Sequence, residues 1–336
     1  MKLLEINYLR TYAILSIVIW HCLVCPLTCW NLIESSKITS LISILARFYI
    51  PDANMPLFTF ISGYLFSYLY KKNKEKYGCF IPFLKTKFNR LVIPFLIIGT
   101  TVNITMPERY LYMIMNGEGS HLWFCMMLFW CFIIRWIILK ANWKPLNFAM
   151  LIFSLMAILY SKGNNWNLPE FPLSLFGIRH AIFFYLYFVM GGTLYNNKEY
   201  LLNSMNKNKK LIYLLTILFF ILVSLSLLRI RYLSFILHIS TSALFIVLIY
   251  IWSLRLINDG YLRQNKYIDT LCVYSFGIYV FHEWISWGFY HQPYSFKIFE
   301  QYPIAYALVF TLLDFAASVV LTHYSLKTKV GKYLLL

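Results

Sequence analysis

An all-α polytopic membrane bundle of about ten transmembrane helices is the fold class this sequence predicts, and three observations predict it. Hydrophobic residues make up 60% of the 336 positions and aromatic residues 20%, against 13% charged, a composition that excludes an ordinary soluble domain. Apolar windows of spanning length recur along the whole chain. The cations behind the net charge of +17 gather in the short segments between those windows.

In order, the windows cover residues 6–27, 41–70, 91–106, 121–139, 146–160, 178–195, 211–228, 232–254, 270–290 and 303–325. The first lacks a small-residue cleavage site and runs on through Trp20-His21-Cys22, so it is expected to stay as a helix. Pro51 and Pro56 interrupt the second, and the third and fifth are short, so one of these is expected to bend or re-enter. A single integral-membrane domain over 1–336, with no fused soluble domain, is the expected organisation.

Lys and Arg near helix ends are retained on the cytoplasmic side. With the N-terminus inside, the inner segments hold Lys2, the run Lys71 to Arg90, Lys140 and Lys144, Lys198 to Lys210, Arg255 to Lys266 and Lys327 to Lys332. The outer segments hold far fewer, among them Lys37, Arg109, Lys162 and Lys297. Both termini are then cytoplasmic. The excess suits the lipid bilayer's anionic headgroups or a polyanionic small molecule. Nucleic acid is not expected as a partner, because the cations lie in short loops.

Arg10 and His21 share the first window. Eleven residues of straight α-helix make about three turns plus ~20°, which puts both on one stripe about 16 Å apart. A charged and a titratable group in apolar surroundings persist mostly where they line a cavity or pathway. A basic anchor and a base on one stripe read as a donor site leading to a reaction centre. The alternative is an Arg that snorkels to headgroups and a hydrogen-bonded core His. Cys25 and Cys29 follow His21 at i+4 and i+8, but three ligands on one helix cannot enclose a tetrahedral ion, so no metal is expected.

Further polar marks stand at window edges: Met55-Pro56-Leu57-Phe58-Thr59-Phe60-Ile61-Ser62-Gly63-Tyr64, Arg90 to Pro94, His121-Leu122-Trp123-Phe124, and Ser275-Phe276-Gly277-Ile278-Tyr279-Val280-Phe281-His282. Each has a plain structural reading. Ser62-Gly63 suits close helix packing, Pro94 a bend, His121 and Trp123 interface anchoring, His282 a satisfied core histidine.

Taken in order with Arg10 and His21, these segments resemble the acyltransferase 3 family, multi-span membrane O-acyltransferases of bacterial surface sugars. The resemblance covers nearly the whole chain. It departs at Asn7, where an Asp is common, and at Thr11, which replaces a Gly. It implies an acyltransferase, in the first instance an O-acetyltransferase, of the bacterial cytoplasmic membrane. The acyl group would pass from cytoplasmic acetyl-CoA or another acyl-CoA to a hydroxyl of a lipid-linked or polymeric saccharide. The acyl-CoA is a donor substrate, and no permanently bound cofactor is expected.

Under that resemblance His21 and Arg10 are the catalytic candidates, with Arg10, Arg90, Lys85 and Lys87 meeting the donor phosphates by charge-assisted contacts. Asp52, Ser62, His121, Trp123, Tyr279, His282 and Glu283 are supporting candidates. Asp52, Glu283 and Asp314 are carboxylates that could orient His21 or His282. His21 as general base and a transient acyl-His are both chemically reasonable, and the sequence does not separate them. Envelope-biosynthesis proteins are candidate partners. A transporter or flippase of a glycan precursor is the rival reading, since it too would carry intramembrane His and Arg.

Overall fold

In the computed structural model, residues 3–28, 37–49, 53–103, 107–117, 120–142, 144–163, 175–227, 233–290 and 292–335 are described. They are helical throughout, with no strand among them. Among the described residues, five helices are long and apolar enough to cross a membrane: Leu4–Thr28, Trp123–Ala141, Lys209–Ser226, Ile239–Asn258 and Pro303–Ser325. Other windows also fall on helices, as 178–195 does on Ile178–Asn196 and 270–290 on Lys266–Tyr290. The window 41–70 proves to be two helices, Lys37–Tyr49 and Asn54–Lys72. The run of cations from 71 to 90, read as a loop, is itself helical over Lys74–Gly78 and Phe80–Lys87.

The chain forms two compact units. Met1–Asn54, Ile212–Leu228 and Ser240–Leu336 make the first, in which Leu4–Ile19 packs on Lys266–Tyr290 and that helix packs on Pro303–Ser325. Gly277 lets the last two helices approach, because a Cβ there would overlap the Thr322 side chain. The second unit is Met55–Leu211 with Arg229–Ile239. Its centre is a crossing of Asn54–Lys72 with Ile178–Asn196, where a Cβ on Gly63 would overlap the Phe188 carbonyl and one on Gly191 the Phe60 carbonyl. Two glycines thus let backbone touch backbone in each direction, as small residues do where apolar helices meet. Phe66, Phe83, Phe132 and Phe188 fill the space beside the crossing, with ring centres 5.0–6.5 Å apart.

Among the described residues, two helices carry a five-residue π-turn, Trp20–Val24 and Phe88–Val92. Each is followed two residues later by a proline, Pro26 in one case and Pro94 in the other. Proline has no N–H for the carbonyl four residues back and its ring crowds that carbonyl. An α-helix relieves this by widening over one turn, which accounts for both π-turns. His21 lies in the first and Arg90 in the second.

Candidate functional site

His21 stands on the widened turn of the first unit and is half-buried. Its Nδ1 lies 2.9 Å from Nε2 of His282, which is fully buried on Lys266–Tyr290. The ring centres are 5.1 Å apart and the planes only 14° from parallel. With the nitrogens so close, these values describe two imidazoles side by side in nearly one plane, a head-on hydrogen bond and not a face-to-face stack. Tyr279, one turn before His282, is buried with its ring centre 6.0 Å from that imidazole.

The residue after His21 is tied down from two sides. Pro26 cannot supply an N–H to the Cys22 carbonyl, and the Tyr290 hydroxyl donates to that carbonyl at 2.7 Å. The Cys22 thiol donates to Asp314 Oδ2 at 2.9 Å from the helix Pro303–Ser325. Asp314 Oδ1 and Ser318 Oγ are buried without a hydrogen-bond partner among the described residues. Of the carboxylates that could orient the imidazoles, Asp314 therefore holds the neighbouring thiol, while Glu283 is half-buried beside His282 in sequence. Asp52 lies outside the described residues.

Arg10 occupies a second polar cluster of the same unit, near the start of the first helix. Its guanidinium contacts the Cys272 thiol. Asn7 Nδ2 donates to Asp269 Oδ1 at 2.7 Å, Gln264 Nε2 to Asp269 Oδ2 at 3.2 Å, and the Cys272 thiol to Asn7 Oδ1 at 3.4 Å. Thr11 Oγ1 donates to the Ile268 carbonyl at 3.4 Å. Asn7 and Thr11, the two departures from the resembled pattern, are thus both committed to the opening turn of Lys266–Tyr290. Asp269 supplies from that helix a carboxylate next to the position where an Asp is common. The helix that carries both residues is regular over Leu4–Ile19 and widens from Trp20, one residue before His21.

The remaining candidates belong to the second unit. Arg90 and Lys85 are exposed, whereas Lys87 is buried with Nζ 3.6 Å from the centre of the Phe132 ring and 5.6 Å from that of Tyr77. Burial pushes the Lys87 ammonium down to about 7, and the nearby charges of Arg90 and Lys76 push the same way. Burial raises Tyr77, and Arg90 opposes that shift. Lys76, Lys87 and Arg90 therefore form one cationic group. Ser62 sits half-buried beside the Gly63 crossing, which supports its packing reading. Trp123 packs its indole 4.9 Å from His180 and 5.5 Å from Phe184, and His121 is buried in the short turn Ser120–Leu122 just before it.

Sequence reasoning missed Asp269, Cys272 and Tyr290. Asp269 reads as an ordinary acid in the first turn of a helix, where it suits the dipole. Tyr290 had a weak signal, since Pro26 announces a carbonyl in need of a donor. Among the described residues, no three His, Cys, Asp or Glu side chains are grouped to hold a metal ion.

A family model for acyltransferase 3, described as an acyltransferase domain, matches residues 3–323. No curated protein and no solved structure matches the chain.

Proposed function

The chain belongs to the acyltransferase 3 family, and from that premise we propose that it moves an acyl group, in the first instance acetyl, from cytoplasmic acyl-CoA to a saccharide hydroxyl. It is an acyltransferase and a multi-pass membrane protein. The finer reading is a bundle of about ten spans in one integral domain, with both termini cytoplasmic, in a bacterial cytoplasmic membrane. The acceptor is a cell-surface or lipid-linked sugar.

The observation that carries this reading is the half-buried His21 on a widened turn, with a second imidazole in its plane 2.9 Å away. A base of this kind takes the proton of the sugar hydroxyl as its oxygen attacks the thioester carbonyl. The carbon–sulfur bond then breaks, and the CoA thiolate recovers that proton from His21. No net proton, oxidant or metal is required. A single positioned base contributes about 10²- to 10⁴-fold in rate. For the donor, Arg90 and Lys85 are the exposed cations of the second unit that can meet phosphate directly, while Lys87 is buried over the Phe132 ring. Arg10 is the corresponding cation of the first unit.

Purified protein in detergent or nanodiscs, given acetyl-CoA labelled in the acetyl group and a saccharide acceptor, should transfer label to the sugar. The His21→Ala protein should reach the membrane at similar yield and lose at least about 10²-fold in that transfer. Label that moves across vesicles while the thioester stays intact would instead support the transporter reading. Substantial transfer by His21→Ala would remove His21 from the chemistry.

A further inference from the structure

Neutral histidine has two tautomers, and its hydrogen-bond partners decide between them. Nδ1 of His282 lies 2.8 Å from the Tyr279 carbonyl oxygen and 3.1 Å from that of Ile278. A carbonyl oxygen only accepts, so Nδ1 of His282 must carry the hydrogen, shared between two oxygens of its own helix. In the neutral ring Nε2 is then a bare acceptor. It faces Nδ1 of His21 at 2.9 Å with the rings nearly coplanar, so His21 must donate through Nδ1. Its own unprotonated nitrogen is therefore Nε2.

We propose that His282 is a positioning residue for the acyl transfer: anchored on the Tyr279 and Ile278 carbonyls, it holds His21 in the tautomer whose Nε2 can take the hydroxyl proton. This rests on the proposed acyltransferase chemistry of His21. The backbone of one helix thus does for His282 what a carboxylate does in many histidine-based sites, and the imidazole passes the constraint on. When His21 takes the proton, Nδ1 keeps its hydrogen and the bond to His282 persists. His282 gains and loses no proton in the cycle.

The choice of a second imidazole over a carboxylate has a chemical consequence. A neutral acceptor stabilises the imidazolium of His21 less than an ionised carboxylate would, so the proton is returned more readily to the departing thiolate. Two groups beside His21 have partners of their own. The Cys22 thiol is committed to Asp314, and the Tyr290 hydroxyl to the Cys22 carbonyl. Glu283, the next residue along, is the remaining titratable neighbour in sequence.

Two variants test this. Leucine at 282 fills the space without an acceptor, and glutamate places an acceptor-only carboxylate oxygen at the reach of the lost Nε2. His282→Leu should lower kcat about 100-fold with KM for acetyl-CoA and for the acceptor within about twofold. His282→Glu should recover at least about tenfold of that loss, and the acid limb of its kcat profile should move to higher pH, because the carboxylate stabilises the His21 imidazolium. Both proteins are first checked for wild-type yield, monodispersity and acetyl-CoA binding. A folded His282→Leu enzyme within about threefold of wild-type kcat would overturn the proposal. So would a His282→Glu enzyme as slow as the leucine variant with an unmoved acid limb, for then only the shape of the imidazole mattered. Activity in His21→Ala would strike at the reaction itself, so the two failures are distinguishable.

Discussion

Trp20–Val24 and Phe88–Val92 are π-turns of equal length with the same cause, a proline two residues further on, yet they sit in opposite surroundings. Around the first, directional polar contacts dominate: His21 meets His282, the Cys22 thiol meets Asp314, and Tyr290 meets the carbonyl to which Pro26 offers no N–H. Around the second, rings dominate. Phe88 lies 6.3 Å from Phe129, and Lys87, just before the turn, rests over Phe132. The backbone device is shared, and the difference lies in the tolerance each site has for error. Hydrogen bonds fail within a fraction of an ångström, whereas apolar packing and the pull of a positive charge are forgiving of direction.

The sharpest way to break this contrast is to close each turn by one residue. Deleting Leu23 removes the extra residue that the first turn accommodates, draws that turn back towards α-geometry and shifts His21 and Cys22 against the flanking helix. The contacts of His21 and Cys22 with His282, Tyr290 and Asp314 cannot then all be kept, and kcat should fall by about 10³-fold or more. Deleting Asn89 turns Arg90 relative to Phe88. Here the expected loss is a rise of about tenfold in KM for acetyl-CoA with kcat within about threefold, the size of one charge-assisted contact. Steady-state kinetics on both proteins checks this, and equal losses of kcat would erase the distinction between the turns.

A widened turn is hard to see in a sequence. The spans are apolar nearly all round, so no regular polar face marks where the helix widens. The windows themselves were legible because composition alone marks them, as in Ile178–Asn196 and Pro303–Ser325. The prolines were legible too, and Pro94 was read as a bend. The residues near Pro26 did not reveal the identity of the donor, since Tyr290 is 268 positions away from Cys22 in the chain. The partnership of His21 with His282 is likewise tertiary, over a separation of 261 residues, although both stood in ordered motifs. Asn7 looked like a departure from pattern. In the structure it bonds Asp269, an acid on another helix that no local signal connects to residue 7.

A smaller effect separates the role of the tyrosine from that of the proline. Tyr290→Phe removes the donor to the Cys22 carbonyl, and a buried carbonyl that loses its donor costs about 1–3 kcal/mol. Thermal stability and kcat should both drop, kcat by several-fold, because Cys22 adjoins His21. Pro26→Ala in the same chain restores an N–H four residues after Cys22. The double variant should therefore lose less than Tyr290→Phe alone, measured by melting temperature in detergent as a double-mutant cycle. Strict additivity would mean that the hydroxyl and the missing N–H do not serve the same carbonyl.

The least of the expected effects belongs to the forgiving side of the comparison. Lys87 is buried among rings, and its ammonium is pushed down to about 7 from a usual value of 10.5. Between those values the unfolded chain carries a proton at this site that the folded chain lacks. Folding stability contributed by Lys87 must then rise as pH rises from about 7 towards 10.5, and the cost of the buried charge is full below 7. Lys87→Met keeps a stem of similar length over Phe132 and has nothing to ionise. The variant should be the more stable protein at pH 7, with a melting temperature higher by on the order of a few degrees, and the advantage should shrink towards pH 10. Melting curves of the two proteins at both pH values decide it. A gap that stays constant with pH would show that Lys87 keeps an ordinary ammonium in the fold, and that the cationic group with Arg90 and Lys76 is solvated rather than enclosed.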